Sequence, residues 1–271
     1  MRKICIIIRV YNRVEDLKHC LSIIKDTWTN FEYYIIVVSN GKKKGFLVDQ
    51  ESKGKINQLV ELEENSGHLK GNSQLLLQGL PYIPDNCDYT ILLEADTWIY
   101  SDVYIKKYIS KLDKGIAVWA SAKWYDSIFS LATDFAIVQS KFIKNHWQIL
   151  DFGTRPEDYV ANFLIDNNFQ FIYITENMPI HVPSYIHHYP YTRGNRFNMF
   201  PKAKMVTYHV ENLKGGMQKK KEYFNILSNT KYFDILVEKS STLERVIVQM
   251  SIYFSYLLPR KSWFNIVRRI K

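Results

Sequence analysis

The sequence has little cysteine: Cys5, Cys20 and Cys87 are its three, they lie far apart, and none has metal-ligand spacing. Cys5 and Cys20 fall within apolar patterns, where a thiol behaves as a small hydrophobe, and a reducing compartment follows most simply. A long apolar run is also missing. The best stretch, around 250–258, is shorter than the roughly 18 to 20 residues that span a bilayer and is interrupted by Ser251 and Ser255. At the start, the run after Met1-Arg2-Lys3 extends only from Ile4 to Ile8 before Arg9, which reads as a strand and not as an export signal. No internal repeat or low-complexity linker divides the chain.

What is present is a core-forming composition. The 271 residues are 46% hydrophobic, ample for one large domain or two ordinary ones, so global disorder is excluded. A net charge of +9 points to an anionic partner, whether a nucleic acid, a nucleotide, a phospholipid surface or an acidic glycan.

Periodicity orders the first hundred residues. Strands are expected at Ile4–Ile8, Tyr34–Val38, Leu59–Leu62 and Tyr89–Leu93, and helices through Leu17, Leu21 and Ile24 and over Leu75–Leu80. That alternation predicts a parallel α/β sheet. Ligands bind such sheets at the carboxyl ends of the strands, so four polar segments should share one crevice. They are Arg9 to Arg13, Ser39-Asn40-Gly41, Glu64-Asn65-Ser66-Gly67 and Glu94-Ala95-Asp96. Further on, helices are expected near Val103–Leu112 and Glu157–Asp166, with strands at Ile116–Trp119 and Phe135–Val138.

Glu94 and Asp96 end an apolar strand, and carboxylates at i and i+2 of extended chain project to the same side. Together they can hold one hard divalent cation such as Mg²⁺ or Mn²⁺. Acidic pairs at strand ends are common and alone read first as plain solvation; the pair's place in the order of motifs separates the two readings. The first strand runs into Val10-Tyr11-Asn12-Arg13, Asn65, Gly67 and Asn72 follow the third, Glu94-Ala95-Asp96 the fourth, and Glu157-Asp158 opens a later helix. In order and spacing these resemble the family 2 glycosyltransferases of GT-A fold, over about residues 3 to 212.

The resemblance implies a mostly parallel central sheet flanked by helices, with a catalytic domain over 1–214 and a helical extension over 215–271. The nucleotide-sugar half would cover about 1–100 and the acceptor half about 101–214. The implied activity is inverting, metal-dependent transfer of a sugar from a nucleotide-sugar donor to a hydroxyl of a surface glycan or lipid-linked acceptor. By the same resemblance, Arg9, Tyr11, Asn12, Arg13, Ser39, Asn40, Asn65, Gly67, Asn72 and Glu94 would bind the donor. Asp96, with Glu94, would hold Mn²⁺ or Mg²⁺, and His209 would be a third ligand, with His181 and His187-His188 as competitors. Asp158, paired with Glu157, would be the base, although acids behind Pro156 also suit a helix N-terminus for dipole reasons. Arg193, Arg196 and the lysines from Lys202 onward are alternative phosphate grips or solvated surface. The aromatic region from Tyr185 to Phe200 is either an acceptor wall or core.

The chain departs from the family at Arg9, where Pro is usual, at Ser39-Asn40, where an acid usually meets the base, and at Glu94, where Asp is usual. Asn12 and Glu15 also read as a capping box for the first helix. The rival readings are a nucleotidyltransferase of related fold and a non-catalytic binder of nucleic acid or membrane. Dispersed basic residues and the lack of a recognised motif argue against nucleic acid.

From Gly215, a lysine run at 219–221 leads into helical sequence. Ser241 to Glu244 form a capping box, Leu243, Val246, Ile247, Met250, Phe254, Leu257 and Leu258 follow at helical spacing, and Pro259 should end that helix. Beyond it, Trp263, Ile266, Val267 and Ile270 share one side of a segment with five basic residues and no acid, which suits either an anionic membrane surface or a packed surface helix. A peripheral place on the cytoplasmic face of the cell membrane is the corresponding expectation.

Overall fold

The computed structural model describes residues 1–123, 129–176, 180, 198–207, 213–233 and 241–257. The first half runs β1 (Lys3–Val10), α1 (Val14–Thr27), β2 (Glu32–Ser39), α2 (Gln50–Lys53), β3 (Gln58–Glu61), α3 (His68–Gly79) and β4 (Tyr89–Glu94). It continues with β5 (Trp98–Ile99), α4 (Val103–Lys114), β6 (Ala117–Ser121), β7 (Phe135–Gln139), α5 (Ser140–Asn145), α6 (Pro156–Asp166) and β8 (Gln170–Tyr173). The last elements are β9 (Asn198–Phe200), β10 (Met205–Thr207), α7 (Gly216–Ser228) and α8 (Thr242–Leu257).

Seven strands form the central sheet in the order β3-β2-β1-β4-β7-β6-β8, and β5, β10 and β9 form a small antiparallel sheet beside it. The central sheet is parallel except for β7, which runs against both β4 and β6. Strand order reverses between β1 and β4. That reversal leaves a crevice at the carboxyl ends, because the helices after β1 and β3 depart to opposite faces.

Both faces are covered, so the central strands are apolar on both sides. On one face Ile4, Ile6, Ile8, Ile35 and Val37 pack with α1 and α4; on the other Cys5, Ile7, Ile36 and Val38 pack with α3, α5 and α6. All three cysteines are unpaired and buried, and burial pushes the Cys5 and Cys20 thiols far up. Fully burying one Ile or Leu side chain stabilises by about 1.5–3 kcal/mol, and the inner strands carry most of this.

Two local expectations need correction or extension. The Asn12–Glu15 capping box does not form: α1 begins one residue later than that box requires, with Arg13 in the cap position and no side-chain cap. Asn12 is left exposed, on the crevice wall. At the other end of the chain, α7 is no loose appendage. Tyr223, Phe224 and Leu227 are buried in the same core as β1 and α1. Ser241 does cap α8, accepting from the Glu244 amide at 3.2 Å, but the Glu244 side chain turns inward instead of returning the bond.

Candidate active site

All four polar strand-end segments meet in one crevice of about 680 Å³. Arg9, Tyr11, Asn12, Arg13, Asn40, Asn65, Gly67, Asn72, Glu94 and Asp96 line it, together with Lys43, Lys44, Glu64 and His68. Ser39 does not. Side chains alternate along β2, and Ser39 continues the Ile35–Val37 face toward α1, buried beneath the crevice, while Asn40 turns to the α3 side.

Asn40 is itself committed to structure. Its amide donates to the Gly71 carbonyl at 3.1 Å and to Gln74 Oε1 at 3.3 Å, and its Oδ1 accepts from Asn65 Nδ2 at 3.3 Å. Asn65 Oδ1 in turn accepts from the Gly67 amide at 2.7 Å, closing a tight turn in which Gly67 adopts φ +96°. That turn delivers the N-terminus of α3 to the crevice with no acid in its first turn. A β-carbon at Gly71 would lie 2.3 Å from Asn65 Oδ1, so a larger residue there would have to push the Asn65 side chain aside.

The charged floor follows from register. Arg9 and Glu94 are partners in the β1–β4 pairing, and Arg9 Nη2 donates to Glu94 Oε1 at 2.7 Å and to the Thr133 carbonyl. Arg9 sits on the same sheet face as Ile7 and Leu92, and Asp134, just ahead of β7, continues the Ala136–Val138 face beside them. Arg9 is 3% exposed, and its Nε and Nη1 have no hydrogen-bond partner among the described residues. Such orphaned donors are costly, each worth roughly 1–3 kcal/mol, and mark a place where structure alone does not explain the residue.

Carboxylates crowd this arginine. Burial pushes Asp134 up to about 7, with the Glu94 charge adding to the effect and Arg9 opposing it. Glu157 is likewise pushed up to about 7, chiefly by burial, and feels the same two neighbours. Asp134 escaped the sequence reading, although an acid opening an apolar strand was visible in Thr133-Asp134-Phe135.

Asp96 is 4% exposed and its Oδ2 lies 3.9 Å from Arg13 Nε. Its backbone is held from below: Lys220 Nζ donates to the Asp96 carbonyl at 2.6 Å and to Asp16 Oδ1 at 2.5 Å, over the Trp98 ring at 4.2 Å. Burial pushes the Asp16 carboxyl up against the pull of Lys220. Lys220 is thus a buried strut from α7 to the Glu94-Ala95-Asp96 turn. The lysine run is internally matched as well, since Lys219 faces Glu222 and Glu244, and Lys221 faces Glu15.

Glu157 and Asp158 do not line the crevice wall. They open α6 behind Pro156, with Asp158 Oδ2 paired to Arg155 at 2.7 Å and Asp158 Oδ1 buried without a hydrogen-bond partner among the described residues. His181, His187, His188, Arg193, Arg196 and His209 lie outside the described residues, as do the segment after Pro259 and nearly all of the Tyr185–Phe200 region. Among the described residues no three His, Cys, Asp or Glu side chains cluster to hold a metal ion. The Glu94–Asp96 pair still fits a hard cation, because Mg²⁺ is commonly bound through one or two carboxylates, with phosphate and water completing its shell.

No protein-family profile matches the chain, and no curated protein matches it. Solved structures do. The mannosyltransferase PcManGT from Pyrobaculum calidifontis, in complex with GDP-Man and Mn²⁺, aligns at a TM-score of 0.49 and 14% identity, over 64% of this chain and 54% of that one. The glycosyltransferase GlyE of Streptococcus pneumoniae aligns at 0.46 and 12% identity, over 65% and 47%. The 4-diphosphocytidyl-2C-methyl-D-erythritol synthase of Anaerococcus prevotii aligns at 0.45 and 14%, over 64% and 86%. This chain spans about half the length of the two sugar transferases.

Proposed function

We propose that the chain is a glycosyltransferase of GT-A type, moving a sugar from a nucleotide-sugar donor to an acceptor hydroxyl. One observation carries this reading: the strand-end crevice combines basic and amide groups suited to a nucleotide diphosphate with an acidic Glu94–Asp96 turn at its floor. Arg9, Arg13, Lys43 and Lys44 supply positive charge, Asn65 and Asn72 hydrogen-bonding groups, and Tyr11, edge-on to Phe46 at 5.3 Å, an aromatic surface.

Asp96 and Glu94 are the residues that would hold Mg²⁺ or Mn²⁺, which when bound neutralises charge on the departing diphosphate. Arg9 orients Glu94 through its hydrogen bond, and Lys220 fixes the backbone of the turn. In an inverting transfer, Asp158 would be the base, with Glu157 beside it; both open α6 behind Pro156, off the crevice wall, and Asp158 is paired with Arg155. The acceptor would be a glycan or lipid-linked hydroxyl.

Incubation with a panel of nucleotide sugars and Mn²⁺ tests the assignment. Release of a nucleoside diphosphate, lost in Asp96→Ala, is the expected result; release of pyrophosphate from a nucleoside triphosphate and a sugar phosphate would replace it with nucleotidyl transfer. That second reading draws on the same basic wall, which suits a triphosphate equally well. No turnover of either kind, with no ligand raising the melting temperature, would reject both.

A further inference from the structure

We propose that the outer face of α8 is a docking surface for an anionic lipid bilayer, on which the helix lies in the plane of the headgroups. The observation is an inversion of the usual partition. At 100° per residue, Leu243, Val246, Ile247, Met250, Phe254 and Leu257 fall on one stripe of the helix, and they are 70%, 48%, 40%, 46%, 52% and 64% exposed. No charged or polar side chain interrupts that stripe, and Tyr253, 59% exposed, extends its edge.

The opposite side of the helix is already occupied. Val248 is 2% exposed in the main core, Tyr256 donates to the Pro201 carbonyl at 3.1 Å, and Glu244 is held by Lys219 and Tyr223. The inner side is thus already engaged, and an uninterrupted exposed apolar stripe on the other side marks an interaction surface.

Charge selects the partner. The one acid of α8, Glu244, points inward, and the chain continues directly into residues 258–271, which carry Arg260, Lys261, Arg268, Arg269 and Lys271 and no acid. A hydrocarbon stripe joined to a basic segment matches a negatively charged headgroup layer. A second copy of a chain with net charge +9 offers the stripe an apolar match and no electrostatic one. The inference is independent of what the crevice catalyses.

The test is co-sedimentation of the full chain with vesicles of phosphatidylcholine alone and with 30% phosphatidylglycerol, alongside its sedimentation-equilibrium mass without lipid. The expected result is partition onto the anionic vesicles, at least about tenfold weaker for Met250→Glu, because a charge replaces a buried apolar side chain. Arg268→Glu with Arg269→Glu should weaken only the anionic binding, by about fivefold per charge. Circular dichroism melting of Met250→Glu should stay close to that of the wild-type chain, since the side chain lies on the exposed stripe. Failure of the wild-type chain to bind anionic vesicles, undiminished binding by Met250→Glu, or a dimer that Met250→Glu splits while lipid binding is absent would each overturn the proposal.

Discussion

Two regions of this molecule break the ordinary rule of polar outside and apolar inside, in opposite directions. At the carboxyl ends of β1 and β4 the fold buries Arg9, Asp96, Asp134 and, through α7, the Asp16–Lys220 pair. On α8 it leaves a stripe of hydrocarbon in water. Neither arrangement stabilises the fold as a packed core would: buried ion pairs often gain little over apolar side chains of similar volume, and exposed apolar side chains gain nothing. The difference teaches where each ligand would contribute, a charged one at the crevice and an apolar surface at the helix.

The largest effect should come from the crevice. Asp158→Asn is expected to lower sugar transfer by about 10²–10⁴-fold with nucleotide affinity unchanged, as for loss of a general base. Steady-state turnover beside nucleotide titration checks it, and equal loss of both would place Asp158 in the scaffold only.

Next is the strut. Lys220→Met leaves Asp16 buried and unpaired, and urea denaturation should show a loss of about 3–5 kcal/mol, while the double change with Asp16→Leu recovers most of it. If the double variant stays as unstable as the single one, packing over Trp98 and not charge is what Lys220 supplies.

Acidity sharpens the comparison further. Asp134 and Glu157 keep their protons to about pH 7 in the fold and release them near 4 when unfolded. The native state therefore binds more protons across that interval, so stability should decline as pH rises from 4 to 7, in the presence of a chelator. Asp134→Asn should flatten the slope, removing a variation on the order of 4 kcal/mol. A slope of the same size in Asp134→Asn would assign it elsewhere.

Gly71→Ala is a subtler probe. Displacing Asn65 from the crevice rim should weaken nucleotide binding about tenfold while stability moves by less than about 1 kcal/mol, since alanine favours the helix as the clash opposes it. Isothermal titration and melting together separate the two. At the small end, Met250→Gln should change unfolding free energy by no more than about 0.5 kcal/mol, against about 1–3 for Val248→Ala on the buried side of the same helix. A large loss at Met250 would mean that the α8 stripe is covered within the chain.

Much of this was legible because the signals are local. The strand–helix alternation over residues 4–93 and the four polar strand ends are written in short segments whose side chains alternate predictably. The capping of α1 was misread because Asn12 and Ser/Asp-like residues serve caps and ligand loops equally well, and a one-residue shift at Arg13 decides between them. Ser39 was misplaced by the same arithmetic, since strand parity sends it to the α1 face.

By itself the sequence determined β1 to β4, β6 and β7, which ends of the first four are polar, and that Leu243 to Leu257 form an amphipathic stripe; the short β5, β8, β9 and β10 carry too few residues for periodicity to show. Only the tertiary structure decided that Asp134 joins Arg9, that Lys220 supports Asp96 across 124 residues, and that the stripe on α8 faces outward. The physical reason is that periodicity reports which side of an element is apolar, whereas strand order and helix docking decide what that side meets.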